Sequence, residues 1–235
     1  DQIFNQAAKF HYVYGKQARV PIVIRTPGGG GRSYGPTHSQ SLEAHFMHTP
    51  GIKIAVPSNP ADAKGLLKTA VRDDNPVLFV ESKVLYPLKG EVPEGEHLVP
   101  FGQARVARPG GDVTIIAYSR MVLIALEAAQ LLAQEGIEAE VVDLRTLRPL
   151  DTETLVQSVK KTNRALIVEE GWRSFGVGAE VAARIAEHAF DYLDAPIQRV
   201  ATAEVPMPYA RNLEQAALPK VDDVIRAAKN LLIPA

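Results

Sequence analysis

Cysteine is absent from the 235 residues of the sequence, which excludes disulfide bonds, thiolate nucleophiles and metal sites built on sulfur. A surplus of one charge is also missing, because 26 basic side chains stand against 27 acidic ones. Nucleic-acid-binding proteins normally carry a clustered basic excess, so we expect no nucleic-acid partner. No apolar run approaches the ~20 residues that cross a bilayer, so we expect no membrane partner either.

What the sequence does contain is a repeated alternation of strand-like and helix-like segments. Apolar, β-branched runs such as VPIVIR, PVLFVES and RALIVEE alternate with amphipathic stretches, a pattern typical of parallel sheets covered by helices. We therefore predict an α/β protein with two doubly wound, mostly parallel-sheet domains. The domains would cover residues 1–88 and 103–235, joined by a linker over residues 89–102 that is rich in proline, glycine and charge.

Several helix boundaries follow from local signals. Apolar spacing predicts a helix over residues 2–14, another over 39–47 and a closing helix over 221–232. Asp151 is placed to cap a helix that runs to residue 162, with Leu150 and Leu155 spaced for a hydrophobic staple.

Four consecutive glycines, residues 28–31, follow the first predicted strand. The position of a third fingerprint glycine is occupied by Ser33, and no Gly-Lys-Ser/Thr ending follows, so neither a dinucleotide fingerprint nor a P-loop is present. Glycine tolerates positive φ but loses much conformational entropy when it is ordered. We therefore predict a loop that folds tightly or closes against something.

His38 follows this loop and precedes a predicted helix. A serine hydrolase is disfavoured, since the sequence has no G-x-S-x-G elbow and adjacent His38 and Ser39 would not face each other. A metal site with His45 and His48 is also disfavoured, because no carboxylate completes the set. We predict that His38 is an acid–base group facing a pocket beyond the carboxyl ends of the strands.

Two further segments carry clusters of polar side chains. The segment VRDDNP, residues 71–76, is explained either by a turn, which Asp and Asn favour, or by a cation bound to helix-end carbonyls. Glu169 and Glu170 are adjacent on a strand end, so they should diverge and make a poor acid–base pair. Trp172, the only tryptophan, is more typical of an interface between chains.

Several stretches together resemble a known family. The segments HSQSLEAHFMHTPGIKIAVPSNPADAKGLLKTAVRDDNPVLFVE, EVVDLRTLRPLDTETLVQSVKKTNRALIVEEGW and FGVGAEVAARI are similar to the β subunit of the E1 component of 2-oxo acid dehydrogenase complexes, the pyruvate dehydrogenase type in particular. The resemblance covers essentially the whole chain. It implies a pyrimidine-binding α/β domain that lacks its N-terminal part, followed by a transketolase C-terminal-like domain.

The resemblance also implies site residues. His38 would be the active-site histidine that donates a proton when lipoamide is reductively acylated. A structural K⁺ would be bound by the backbone carbonyls of Ile22, Ala70, Val71 and Asp73 and by the side chain of Asn75. No residue that binds thiamine diphosphate is identifiable here. The glutamate and the aromatic residue that contact its pyrimidine ring are expected upstream of Asp1, and Mg²⁺ and the diphosphate on the α subunit.

The implied partners are an E1 α subunit in an α₂β₂ heterotetramer, the E2 dihydrolipoyl acyltransferase and pyruvate. The location would be the bacterial cytoplasm or the mitochondrial matrix. Acetoin and branched-chain 2-oxo acid dehydrogenase E1 β subunits remain alternatives, as does a non-catalytic truncated scaffold chain. A transketolase fragment is disfavoured, because those chains join both cofactor-binding domains. A parallel sheet deprived of strands exposes an apolar edge, so we expect aggregation or obligate pairing if the chain is alone.

Overall fold

The computed structural model describes residues 1–233 and contains two β-sheets. The first sheet has the strand order β1-β3-β2-β7, in which β1, β3 and β2 are parallel and β7 is antiparallel. The elements up to the end of its parallel part are a π-helix Gln2–Ala7, α1 Phe10–Val13, β1 Val23–Gly28, α2 Glu43–Met47, β2 Lys53–Ala55, α3 Pro60–Val71 and β3 Val77–Ser82.

The second sheet has the order β4-β6-β5-β8-β9 and is parallel except for the edge strand β4. The elements of this half, including β7 of the first sheet, are β4 Arg105–Arg108, β5 Val113–Ala117, α4 Met121–Gln134, β6 Ala139–Asp143, β7 Thr146–Arg148, α5 Thr152–Thr162, β8 Ala165–Trp172, α6 Val177–Ala189, a 3₁₀ turn Phe190–Tyr192, β9 Gln198–Thr202, α7 Arg211–Ala217 and α8 Val221–Leu232.

The second sheet is covered by helices on both faces. Successive strand residues point to opposite faces, so Ile115 packs into one apolar cluster and Ile116 into another. Helices α4 and α8 complete the cluster around Ile115, and α5 and α6 complete the one around Ile116. Two α/β sheets of this kind confirm the predicted fold class.

The predicted helices differ in detail. The N-terminal helix is broken into a π-helix and α1, because the amide of Ala8 bonds the carbonyl of Ile3 five residues back. Helix α2 begins only at Glu43, since the carbonyl of Gln40 accepts the amide of Gly29 instead of a helical partner. Helix α8 has the predicted bounds, and the cap at Asp151 is confirmed by its 3.0 Å hydrogen bond from the amide of Thr154.

Three short elements escaped the sequence analysis, namely β4, β7 and α7. Residues 83–104 contain no helix or strand, as expected near a linker. Strand β7, however, follows this stretch and still pairs with β2 of the first sheet, Ile54 lying opposite Arg148. The two sheets are therefore interleaved along the chain, and the predicted division into domains stays a prediction.

Candidate active site at the interface of the two sheets

The glycine loop leaves the carboxyl end of β1 and crosses to the second half of the molecule. Gly29 has φ +80° and Gly31 has φ +95°, a left-handed backbone that a side chain would strain. The amide of Gly29 donates to the carbonyl of Gln40 at 2.9 Å, so the loop first contacts the first half of the chain before it crosses to the second half.

Two buried carboxylates receive the next amides of the loop. Glu170, at the end of β8, accepts the amide of Gly30 at 2.5 Å. Glu214, on α7, accepts the amide of Gly31 at 2.9 Å and the amide and hydroxyl of Ser33 at 2.9 and 3.2 Å. These side chains are 9% and 1% exposed, so the loop is held by acidic groups with little access to water.

The charge on Glu170 is compensated within the site. Burial raises the pKa of this carboxyl, and Arg120, 3.7 Å away, and the amide of Gly30 act in the opposite direction. The guanidinium of Arg120 also approaches the carbonyl of Gly30 at 3.5 Å. The sequence analysis did not identify Glu214, because 181 residues separate it from Ser33 and no local pattern links the two.

His38 lies at the far end of the same loop with an exposed side chain. Its amide donates to the carbonyl of Gly35 at 3.4 Å, and its carbonyl accepts a hydrogen bond from the ammonium group of Lys83. Lys83 also stands 5.0 Å from the centroid of the Tyr34 ring. Its pKa is lowered by burial, which the carboxylates of Glu170 and Glu214 oppose. His38 does not border the cleft between the two halves of the molecule, and its predicted role as an acid–base group that faces a pocket stays a prediction.

A broad cleft of about 1500 Å³ opens between the two halves of the molecule beside α2. Glu43, Tyr118 and Glu169 border this cleft. Burial raises the pKa of Glu43 to about 7, helped by the nearby carboxylates of Glu170 and Glu169. The buried hydroxyl of Tyr118 has no hydrogen-bond partner in the described part of the chain. Glu43 is therefore a group that can exchange a proton near neutral pH.

Glu169 and Glu170 diverge, as predicted. Glu170 serves the glycine loop, whereas Glu169 pairs with Arg199 at 2.5 Å and accepts the amide of Gly178 at 2.9 Å. The indole nitrogen of Trp172 donates to the carbonyl of Val205 at 3.0 Å, and the ring borders the cleft. Its predicted place in an interface between chains stays a prediction.

The predicted K⁺ ligands lie just before β1, at the end of α3 and in the turn that follows α3. The carbonyl of Ile22 accepts the amide of Val77 at 2.9 Å, and the carbonyl of Ala70 accepts the amide of Asp73 at 3.2 Å. Val71 is the last residue of α3. A carbonyl oxygen that accepts one hydrogen bond keeps a second lone pair, so these bonds do not prevent either oxygen from binding a cation.

The side chain of Asp73 in this turn already forms an ion pair and a hydrogen bond. The carboxylate of Asp73 pairs with the ammonium group of Lys53 and accepts the amide of Asn75 at 2.9 Å. Partial burial raises the pKa of Asp73, but hydrogen bonds from Lys53 and Asn75 outweigh it, and the net pKa is lowered. These contacts fit both the turn and the cation interpretation, and the choice stays a prediction.

No helix within residues 1–233 is long and apolar enough to cross a membrane. Across the same residues, no group of three or more His, Asp and Glu side chains is placed to hold a metal ion.

Comparisons with known proteins assign this architecture, two α/β sheets with a glycine loop at the carboxyl end of β1, to the transketolase class. The family model described as transketolase, pyrimidine binding domain matches residues 2–89, and that of the transketolase C-terminal domain matches residues 102–224. A solved structure described as a split gene transketolase, inactive beta4 tetramer, is similar with a TM-score of 0.79 and 27% identity, over 98% of this chain and 70% of that one.

Curated relatives narrow this class. Pyruvate dehydrogenase E1 component subunit beta of Rickettsia felis is 51% identical over 98% of the chain, which spans 71% of that relative. The mitochondrial protein of the same name from Dictyostelium discoideum is also 51% identical over 98% of the chain, which spans 66% of it. The chain belongs to the family of pyruvate dehydrogenase E1 component β subunits.

Proposed function

We propose that the chain works with an α subunit as a thiamine diphosphate-dependent E1 component in an α₂β₂ heterotetramer. The assembly decarboxylates pyruvate and reductively acylates the lipoyl group of the E2 dihydrolipoyl acyltransferase, in the bacterial cytoplasm or the mitochondrial matrix. The single observation that carries this proposal is the identity of about one half to pyruvate dehydrogenase E1 β subunits over nearly the whole chain.

We propose that the cofactor site is shared between this chain and the α subunit. Thiamine diphosphate supplies the carbanion chemistry when bound. The resemblance to E1 β subunits implies that the α subunit holds Mg²⁺ and the diphosphate, and a hard cation such as Mg²⁺ would take oxygen ligands there. This chain's share is the imidazole of His38, which would donate a proton to the lipoyl sulfur. His38 is exposed. Tyr34 in the same loop and Tyr209, which packs against Gly35 of the loop, are exposed aromatic side chains of the kind that a partner covers.

We further propose that Ile22, Ala70, Val71 and Asp73, with the side chain of Asn75, hold a structural K⁺. The support is that the segment before β1 bonds to the segment after α3, since the amide of Val77 donates to the carbonyl of Ile22 and the amide of Val20 donates to the carbonyl of Asp74. Oxygen-only ligands suit a hard cation.

A second candidate function is a non-catalytic chain that assembles with itself. It is favoured by the similar split gene transketolase, whose description is an inactive beta4 tetramer. Acetoin and branched-chain 2-oxo acids remain alternative substrates within the first candidate function.

The test is to assemble the protein with its α subunit and to compare pyruvate, acetoin and branched-chain 2-oxo acids. His38→Asn should lower acylation of a lipoyl domain by about 10²- to 10³-fold, because it removes the proton donor. Decarboxylation measured with an artificial electron acceptor should fall much less, since that reaction does not need the lipoyl proton.

His188→Asn is the matched control, because His188 is exposed on α6 away from the loop. Equal loss of both reactions would refute the assigned role of His38. A complete assembly that binds no thiamine diphosphate and turns over none of the substrates would favour the self-assembling scaffold.

A further inference from the structure

The second half of the molecule supplies none of the predicted catalytic or K⁺ residues. It nevertheless binds the loop that carries His38 through hydrogen bonds from the loop to Glu170 and Glu214. We propose that Glu214 and Glu170 are positioning residues for His38. They hold the amides of Gly30, Gly31 and Ser33, so that the second sheet and its helices set the location of the imidazole. The catalytic part of this inference rests on the proposed function.

The hydrogen bonds between Glu214 and the loop satisfy the buried carboxylate and also hold the loop in place. The carboxylate is almost fully buried and accepts the amides of Gly31 and Ser33 and the hydroxyl of Ser33. None of the ion pairs within residues 1–233 includes Glu214. A buried carboxylate that loses its donors pays the full cost of desolvation, so detaching the loop is strongly opposed.

Apolar contacts also hold the loop against α7 and the residues on either side of it. Gly30 packs against Leu218, whose methyl groups lie 3.1 and 3.2 Å from the point that a Cβ would occupy. Gly35 has φ +77°, and a Cβ there would lie 2.2 Å from the ring of Tyr209. A side chain at either position would push the loop away from α7 and the segment before it. The glycines therefore permit the close approach that the two carboxylates require.

The far end of the loop is tied back by Lys83. Its ammonium group donates a hydrogen bond to the carbonyl of His38 and is attracted electrostatically by the carboxylates of Glu170 and Glu214. Only five positions separate Ser33, held by Glu214, from His38, held by Lys83. Release of Ser33 therefore leaves His38 held by Lys83 and by the packing of Gly35 against Tyr209, and its imidazole should sample more positions.

The experiment compares Glu214→Ala, Glu214→Gln and the control Glu187→Gln in the assembled enzyme, Glu187 being exposed on α6. Amide hydrogen exchange is measured for residues 29–38 and for β3. We expect Glu214→Ala to speed exchange in residues 29–38 by about tenfold or more, since it removes three hydrogen bonds, and to leave β3 unchanged. Glu214→Gln should lie between, because its amide oxygen still accepts a bond.

Kinetics of lipoyl acylation provide the second readout. We expect kcat to fall by about tenfold in Glu214→Ala, while the KM for pyruvate changes less than about twofold. A displaced imidazole slows the step that needs its proton but does not change how pyruvate binds. Glu214→Gln should recover part of kcat, and Glu187→Gln should match the wild type. Should Glu214→Ala fail to fold, the same comparison rests on Glu214→Gln and on Glu170→Gln.

Unchanged exchange in residues 29–38 would overturn the inference, as would a loss of kcat with no change in loop exchange. A wild-type assembly without lipoyl acylation overturns the proposed function alone. In that case the hydrogen-exchange comparison still decides whether Glu214 holds the loop.

Discussion

The two sheets differ in how completely they are enclosed. Every residue of β5 in the second sheet is buried, whereas β1 of the first sheet alternates between half-buried and exposed positions. Strand β1 also forms an edge, and edge strands that stay uncovered readily pair with other chains. The second sheet thus resembles a complete domain, and the first resembles one that relies on neighbours.

One of those neighbours is the second half of the chain itself. Strand β7 completes the first sheet opposite Ile54, although it follows β6 in sequence. Beside it, Arg145 pairs with the buried carboxylate of Asp62 at 2.8 Å, and Arg148 donates to the carbonyl of Met47 at 2.7 Å. The first sheet therefore gains backbone and charge partners from the second half.

We expect the largest difference between the sheets when one isoleucine is replaced by alanine in each. Ile115→Ala in β5 empties a fully buried position and should lower the free energy of unfolding by about 3 to 4 kcal/mol. Ile24→Ala in β1 removes a side chain that is only partly buried and should cost about 1 kcal/mol. Urea titration followed by the fluorescence of Trp172 measures both.

Trp172 ends β8 in the second sheet, so its signal reports directly on the half that we consider self-sufficient. Equal losses for the two variants would mean that β1 is as well enclosed as β5 in solution. That result would contradict the contrast between the sheets.

Local pattern explains which parts of this fold the sequence could predict. Helix α8 and the cap of α5 depend on residues within a few positions, and their apolar spacing is unambiguous. Strand β7 has three residues and no periodicity to detect. Ser33 and Glu214 are 181 positions apart in the sequence, so their hydrogen bond is visible only in the folded chain. The resemblance pointed to His38, while the groups that hold its loop were not visible.

The next prediction concerns Glu43, which lies where the two halves meet. Its pKa is raised from 4.5 to about 7 by burial and by Glu170 and Glu169. Since the folded state prefers the protonated carboxyl, its contribution to stability is complete below pH 4.5 and is lost as the pH rises through about 7. Glu43→Gln removes this titration, so the variant should gain about 3 kcal/mol relative to the wild type between pH 4.5 and 8.

The measurement is the free energy of unfolding of both proteins at several pH values, with Glu127→Gln on the exposed face of α4 as control. The difference between control and wild type should stay constant with pH. A difference for Glu43→Gln that is equally flat would show that water or a partner reaches this carboxyl.

We expect the proposed K⁺ to change the free energy of unfolding least, because its ligands lie only in the half of the chain that forms the first sheet. At a K⁺ concentration ten times the dissociation constant, binding stabilises the folded state by about 1.4 kcal/mol. Replacing K⁺ by choline at constant ionic strength should therefore speed amide exchange in β3, which follows the turn at residues 72–75, and leave β5 unchanged.

Asn75→Ala should abolish this dependence on K⁺, because it removes the side-chain ligand. The readout is the difference between the two salts, since the variant also loses the hydrogen bond from Asn75 to Asp73 and is weaker in both. Asn230→Ala, at an exposed site on α8, should keep the dependence. Equal protection of β3 in both salts would leave the turn as the explanation for residues 71–76. The first sheet would then depend on protein contacts alone.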